Sequence, residues 1–303
     1  MQAPSPLLDR RTLDYLERLA LRWQRSFTGL LGGHNVSRFA GVGHEFLDHR
    51  NFQQGDDLRA VNWRAYLRLE RLFLKMFRTE PRTPVRLFID TSESMACGAS
   101  SNGSGDAKFS YACRLAAALC YVGLVRLETI VLQPFGATLG ESYRAQGGRH
   151  RFAQASRFLT ALQTGGTSNF LGSAREFITQ TPTPGLAIVF SDFLDESGCG
   201  KALQYFADYG HELLLVHLAG PEDVDPTWKG ELELVDAESG DTMRLLLDQK
   251  LIAEYKSTYE SFCHEIETLA LRNRGRYVHL VTDVSLKSAL HGSIISAGAL
   301  TVQ

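Results

Sequence analysis

From residue 85 onward the chain alternates short apolar runs with helical patterns, and that alternation constrains the fold more than any other feature. Residues 85–89 (VRLFI), 186–190 (LAIVF) and 212–218 (ELLLVHL) carry large apolar side chains at consecutive positions rather than at every second one. Strands of that kind are buried on both faces, and when helices separate them they form a mostly parallel, doubly wound α/β sheet. Further strands are expected at 129–135 and 277–281, with an edge strand near 138–143. Helical patterns lie at 108–127, 150–163, 170–179, 201–208 and 249–273, and a last helix starts at Ser285. Segments 231–236 and 242–247, joined by AESGD, read as a hairpin.

The first 81 residues have another character. Leu13, Leu16, Ala20 and Trp23 repeat with helical spacing and predict an amphipathic helix over 7–24. Residues 28–56 are Gly-rich and irregular. Residues 57–80 alternate basic and large apolar side chains, and RLFLKMF has the period of a strand. Two regions are therefore expected: an N-terminal segment, 1–81, holding a helix and Arg/aromatic-rich strand-containing stretches, and an α/β domain, 82–303.

A formal net charge of -2 provides no global attraction to nucleic acid or an anionic membrane. Five cysteines with no CxxC spacing point to a reducing compartment rather than to a disulfide framework or a zinc site. The N-terminus lacks the basic start and apolar core of a secretory signal. The apolar runs fall short of the roughly 20 residues that cross a bilayer. A cytoplasmic protein without a membrane span is the expectation.

Ligands of open α/β sheets bind outside the carboxyl ends of the strands. Three oxygen-rich segments fall on that rim: Asp90-Thr91-Ser92-Glu93-Ser94, Gly165-Gly166-Thr167-Ser168-Asn169 and Ser191-Asp192. Asp-x-Ser-x-Ser alone is also ordinary turn and cap chemistry. The ordered set adds more. Asp90, Ser92, Ser94, Thr167 and Asp192 are all oxygen donors, as Mg²⁺ or Mn²⁺ prefers, and few of them are charged. An ion held that way stays under-neutralised and can capture a carboxylate from another molecule.

Asp90-Thr91-Ser92-Glu93-Ser94, Thr167 and Asp192 resemble the metal-ion-dependent adhesion site of von Willebrand factor A domains. Gly43-His44-Glu45-Phe46, Arg50-Asn51-Phe52, Gly55-Asp56-Asp57-Leu58-Arg59, Val61-Asn62-Trp63, Lys75-Met76-Phe77-Arg78-Thr79-Glu80 and Val235-Asp236-Ala237-Glu238-Ser239-Gly240 resemble the bacterial family catalogued as domain of unknown function 58. Asn62 departs from it, since an Asp usually precedes the Trp. The resemblance covers roughly residues 30–295. It implies a von Willebrand factor A-like fold and a non-enzymatic, cytoplasmic partner of MoxR-type AAA+ ATPases, acting in assembly, chaperone-like or metal-insertion processes. By analogy Ser92, Ser94 and Thr167 bind the ion directly, Asp90 and Asp192 act through waters, and an acidic residue of a protein ligand takes the open position.

Rival readings come from other stretches. The basic segment 50–86, with Trp63, Tyr66, Phe73 and Phe77 interleaved, suits single-stranded nucleic acid. The plainer reading packs those aromatics on the α/β domain and is preferred, so nucleic acid is not the expected partner. Arg59, Trp63, Arg64 and Arg68 are candidates for docking an acidic surface of the ATPase. A magnesium-dependent phosphoester hydrolase is the third reading, with no convincing nucleophile or base in view. Gly198-Cys199-Gly200-Lys201 misses the P-loop pattern, because Asp195 and Ala202 stand where a Gly and a Ser or Thr belong. His44 and His49 are spaced one residue too far apart for a helical zinc-protease pair.

Overall fold

The computed structural model describes residues 7–21, 45–53, 61–78, 84–98, 107–195, 198–228 and 230–302. In chain order the elements are α1 (Arg10–Leu16), β1 (Leu19–Leu21), β2 (Glu45–Asn51), α2 (Trp63–Leu69), β3 (Phe73–Arg78), β4 (Val85–Asp90), α3 (Lys108–Val125), β5 (Ile130–Phe135), β6 (Tyr143–Ala145), α4 (Phe152–Ala161), α5 (Phe170–Gln180) and β7 (Leu186–Ser191). Next come α6 (Cys199–Asp208), β8 (Glu212–Ala219), α7 (Pro221–Val224), β9 (Gly230–Val235), β10 (Thr242–Leu247), α8 (Gln249–Arg272), β11 (Arg276–Val281), α9 (Leu286–Ser288) and β12 (Leu300–Val302). The chain divides into two compact units, one of residues 1–25 with 83–303 and one of residues 26–82.

The larger unit is a mixed α/β fold around a six-stranded sheet of order β11-β8-β7-β4-β5-β6. All neighbours are parallel except β6, which runs antiparallel to β5. Every residue of β4, β7 and β8 is buried, which is why their sequences show no alternation. Alternation reappears in which core each side chain joins. Leu87, Ile89, Ile188, Phe190, Leu214 and Val216 pack with α3 on one face. Phe88, Ala187, Val189, Leu213 and Leu215 face α5, α6 and α8 on the other. Phe88 anchors that second core, its ring 4.8 Å from Phe177 and 5.2 Å from Phe206. Each such side chain contributes roughly 1.5–3 kcal/mol by leaving water. By length and composition α3 could cross a bilayer; here it is the central core helix, with most of its residues buried.

Arg86 breaks the apolar rhythm of β4 yet is only 1% exposed. Its guanidinium donates to the Thr183 carbonyl at 2.7 Å and lies 5.3 Å from the Phe177 ring centroid. It belongs to the core, so it leaves the basic surface in which the sequence reading counted it.

The N-terminal helix is shorter than expected. It stops at Leu16, and β1 then pairs antiparallel with β12, Leu19 opposite Val302 and Leu21 opposite Leu300. Leu16 and Leu19 are fully buried in the core that holds α3. Residues 7–21 therefore go with the α/β unit, which moves them across the boundary drawn at residue 82. The edge strand β6 also lies later than expected, at Tyr143–Ala145, and Leu139 makes only an isolated bridge to Phe135.

In the smaller unit β2 and β3 pair antiparallel, with an irregularity between Phe46 and Asp48. The stretch from Glu45 is strand, so His49 belongs to no helix. Asn62 has a clear local role: its side chain caps α2, accepting the Ala65 N–H at 3.4 Å.

Candidate functional site

Taken in chain order, the six strands of the central sheet lie third, second, first, fourth, fifth, sixth. The order reverses between β4 and β7, where the chain leaves for opposite faces of the sheet. A crevice at the carboxyl ends of such a strand pair is where ligands of this architecture bind. Asp90 is the last residue of β4, and Ser191, followed directly by Asp192, is the last of β7.

Asp90 is fully buried and oriented through both oxygens. Oδ1 accepts the Ser92 N–H at 2.9 Å, and Oδ2 accepts the Ser191 hydroxyl at 2.6 Å. Ser191 Oγ accepts the Phe193 N–H in turn, at 2.8 Å. Burial pushes the Asp90 carboxyl up to about 6, only partly countered by the bonds from Ser191 and Ser92; Asp192 adds to the rise. A buried carboxyl with hydroxyl and amide donors but, among the described residues, no cation is one that a cation would relieve.

A turn of 3-10 helix, Glu93–Ala96, comes next and keeps Ser92 Oγ and Ser94 Oγ 3.0 Å apart. The loop of residues 165–168 closes over them. Glu93 N–H donates to the Gly166 carbonyl at 2.9 Å, and Gly165 N–H to the Thr91 carbonyl at 2.9 Å. Gly166 has a φ of +74°, a left-handed conformation that side chains rarely adopt, and this turns its carbonyl onto Glu93. Thr167 is exposed between Gly166 and Ser168. Asp90, Ser92, Ser94 and the loop carrying Thr167 are thus brought together.

Asp192 is close by but committed. Its Oδ2 accepts from Lys108 Nζ at 2.6 Å, with both side chains about 95% buried, and its Oδ1 accepts the Leu194 N–H at 3.2 Å. A second carboxylate, Asp223, lies 3.7 Å from Lys108 Nζ. Burial alone would lower the Lys108 pKa, but Asp192 and Asp223 outweigh it and hold the ammonium above its usual range. Sequence reasoning missed Lys108. A signal existed, since a lysine in the first turn of a helix opposes the dipole and calls for a carboxylate beside it.

Glu238, at the tip of the β9–β10 hairpin, was also missed as a site residue. Its Oε2 accepts the Ser168 N–H at 3.2 Å, and Ser94 lies beside it, close enough to lower its pKa. Its Oε1 is buried with no hydrogen-bond partner among the described residues. Asp236 aims it, for its Oδ1 accepts the N–H groups of Glu238 at 2.9 Å and Ser239 at 2.7 Å. Burial raises the Glu238 pKa, partly offset by the Ser168 amide and Ser94. Serines 92 and 94 therefore stand between two carboxylates, one from β4 and one from the hairpin.

Among the docking candidates, Arg59 lies outside the described residues. Trp63, Arg64 and Arg68 lie on α2 and are exposed, Trp63 to 55%. Tyr66 is also exposed, its ring 6.1 Å from Trp63.

Two mycobacterial relatives, the uncharacterized proteins Rv1480 of Mycobacterium tuberculosis H37Rv and Mb1516 of Mycobacterium bovis, are each 26% identical over 248 residues, covering 80% of this chain and 76% of theirs. Among solved structures, the conserved hypothetical protein BatB from Bacteroides thetaiotaomicron matches 71% of this chain and 98% of its own, at 15% identity and a TM-score of 0.40. An aerotolerance-related membrane protein from Bacteroides fragilis matches 71% and 99%, at 16% identity and a TM-score of 0.39. Likenesses that distant do not bear on function. The match over residues 48–263, more than half of the chain, is to the family described as "Protein of unknown function DUF58", and the chain belongs to it.

Proposed function

We propose that this chain is a non-enzymatic, divalent-metal-dependent adaptor that binds an acidic side chain of a partner protein through a von Willebrand factor A-like domain. One observation carries the reading. The Glu238 carboxylate, from a hairpin 70 residues beyond Ser168, already accepts the Ser168 amide beside Ser94, with one oxygen buried and unpartnered among the described residues. The crevice accepts a carboxylate, and the chain supplies its own.

The residues fit a hard ion. Ser92, Ser94 and Thr167 offer neutral hydroxyls, Asp90 offers a buried carboxylate in need of a cation, and oxygen donors of this kind suit Mg²⁺ or Mn²⁺. When bound, the ion supplies an electrostatic link between these donors and a partner's carboxylate. Lys108 neutralises Asp192, whereas Asp90 has no cation beside it among the described residues. Ser191 and the Ser92 amide keep Asp90 in place whether or not an ion is bound. Glu238 holds the position that a partner's Asp or Glu would take, and docking would displace the hairpin tip. A MoxR-type AAA+ ATPase and its clients are the expected context.

Thermal unfolding of wild type and Asp90→Ala, in EDTA and then in millimolar Mg²⁺ or Mn²⁺, tests the reading. At ten times the dissociation constant, one ion stabilises the fold by about 1.4 kcal/mol. A metal-dependent rise in wild type that Asp90→Ala lacks is expected. No rise in either protein would overturn it. The exposed Trp63 and Tyr66 beside Arg64 and Arg68 favour one other use, single-stranded nucleic-acid binding, which would appear as affinity falling steeply with salt.

A further inference from the structure

A second polar cluster lies in the same unit and uses none of the residues above. β8 and β11 are parallel neighbours in which His217 and His279 are register partners, so both rings emerge on the same face. Along β8 that face reads Leu213, Leu215 and then His217, an abrupt change from apolar core to imidazole. Tyr277, two residues before His279, shares the face. Above it runs α8, which presents Tyr259 and Cys263 one turn apart.

The five side chains converge. One donor atom from each of His217, Cys263 and His279 lies within 4.8 Å of the other two. The Tyr277 hydroxyl is 2.7 Å from His217 Nδ1, and the Tyr259 hydroxyl is 3.0 Å from His279 Nε2. Cys263, His279 and both tyrosines line a cavity of about 500 Å³, with Glu260 and Glu267 among its other walls.

We propose that His217, Cys263 and His279 form a binding site for a borderline-soft transition ion, Zn²⁺ by preference, whose fourth position opens on this cavity. Two imidazoles and a thiolate are a donor set that selects zinc over magnesium. Each imidazole has two nitrogens, so a ring keeps its tyrosine bond on one while ligating through the other. Outer hydrogen bonds of that kind fix the orientation of ligating histidines. Three protein donors leave a tetrahedral ion one exchangeable position, as in sites that hold a small ligand rather than in closed structural ones. Ligation releases the Cys263 thiol proton to solvent, and Glu260 and Glu267 carry negative charge near the resulting complex. The site is independent of the magnesium reading, since the two share no residue and differ in donor class.

Cobalt titration of the full chain, stripped of metal and held in millimolar Mg²⁺ to saturate any hard-ion site, tests this. Wild type is expected to bind one Co²⁺, with a thiolate-to-cobalt charge-transfer band and the intense visible bands of a tetrahedral ion, both bleached by Zn²⁺. Cys263→Ser, which retains a hydroxyl for the tyrosines, should lose the charge-transfer band. His279→Asn should weaken Zn²⁺ binding by at least about tenfold, and Tyr277→Phe by about tenfold through ring orientation alone. Unfolding in chelator verifies that each variant is folded, and if Cys263→Ser is not, the spectra of the other two decide. No charge-transfer band in wild type, or one that survives in folded Cys263→Ser, would reduce the cluster to a hydrogen-bonded network. Asp90→Ala should leave the cobalt spectrum unchanged, which separates this outcome from any failure of the magnesium site.

Discussion

His211 illustrates how one buried group sets a pH dependence. It is 1% exposed, with Phe177 and Phe206 edge-on at 6.0 and 5.5 Å. Burial, and then the charge of Arg86, lower its pKa from 6.5 to about 3, and the Gly185 backbone offsets only part of that. In the unfolded chain the imidazole takes a proton below about pH 6.5, while in the folded protein it stays neutral down to about 3. Between those values the unfolded state binds more protons, so stability falls as the pH drops, by up to about 1.4 kcal/mol per pH unit for one such group. Above pH 6.5 the contribution is constant. His211→Phe, which keeps a ring in the aromatic cluster, is expected to remove one proton's worth of this slope between pH 6 and 4.5. Urea unfolding at four or five pH values measures it. His217 behaves similarly, so a residual slope remains, and an undiminished slope would mean that His211 is already charged in the folded protein.

At the scale of elements, the sheet is pinned at one edge by a buried ion pair. Arg276 opens β11 and donates to Glu212, the first residue of β8, at 2.6 Å. The same guanidinium donates to the Gly298 carbonyl at 2.7 Å, tying the approach to β12 onto the sheet. Both charged side chains are more than 90% buried. Pairs like this gain little over apolar residues of equal volume, but removing one side strips a buried charge of this counter-charge. Glu212→Ala is therefore expected to cost about 3–5 kcal/mol, and Glu212→Met with Arg276→Met together much less. Denaturant midpoints of the two variants decide. A single variant within about 1 kcal/mol of wild type would show that water reaches Arg276 once its partner is gone.

Across the whole molecule, what could be read in the sequence was whatever depends on neighbours in the chain. The runs at 85–89, 186–190 and 212–218 declare strands because burial on both faces leaves no room for polar alternation, and Asp90, Ser92 and Ser94 declare a strand end by their spacing. The strand β12 could not be read, since three residues carry no pattern and its partner β1 lies some 280 positions earlier. Lys108 on Asp192 and Glu238 on the Ser168 amide were hidden for the same reason, each contact being made by the fold rather than by the local chain. The hairpin depends on one such contact. β9 and β10 form a two-stranded ribbon with Leu234, Val235, Met243 and Leu246 exposed, and isolated ribbons of that size are marginal in water. Its tip is held to the crevice by Glu238. Glu238→Gln keeps the shape but replaces a charge-assisted contact with a neutral one, so the ribbon should lose protection against amide hydrogen exchange over residues 230–247, while β4, β7 and β8 keep theirs. The loss should be several-fold, in keeping with about 1 kcal/mol for one weakened contact. Protection unchanged in the variant would mean that the hairpin stands without its carboxylate, and a partner would then have nothing to displace. Protection lost throughout the sheet would mean that the tip contact supports the fold itself rather than guarding the site.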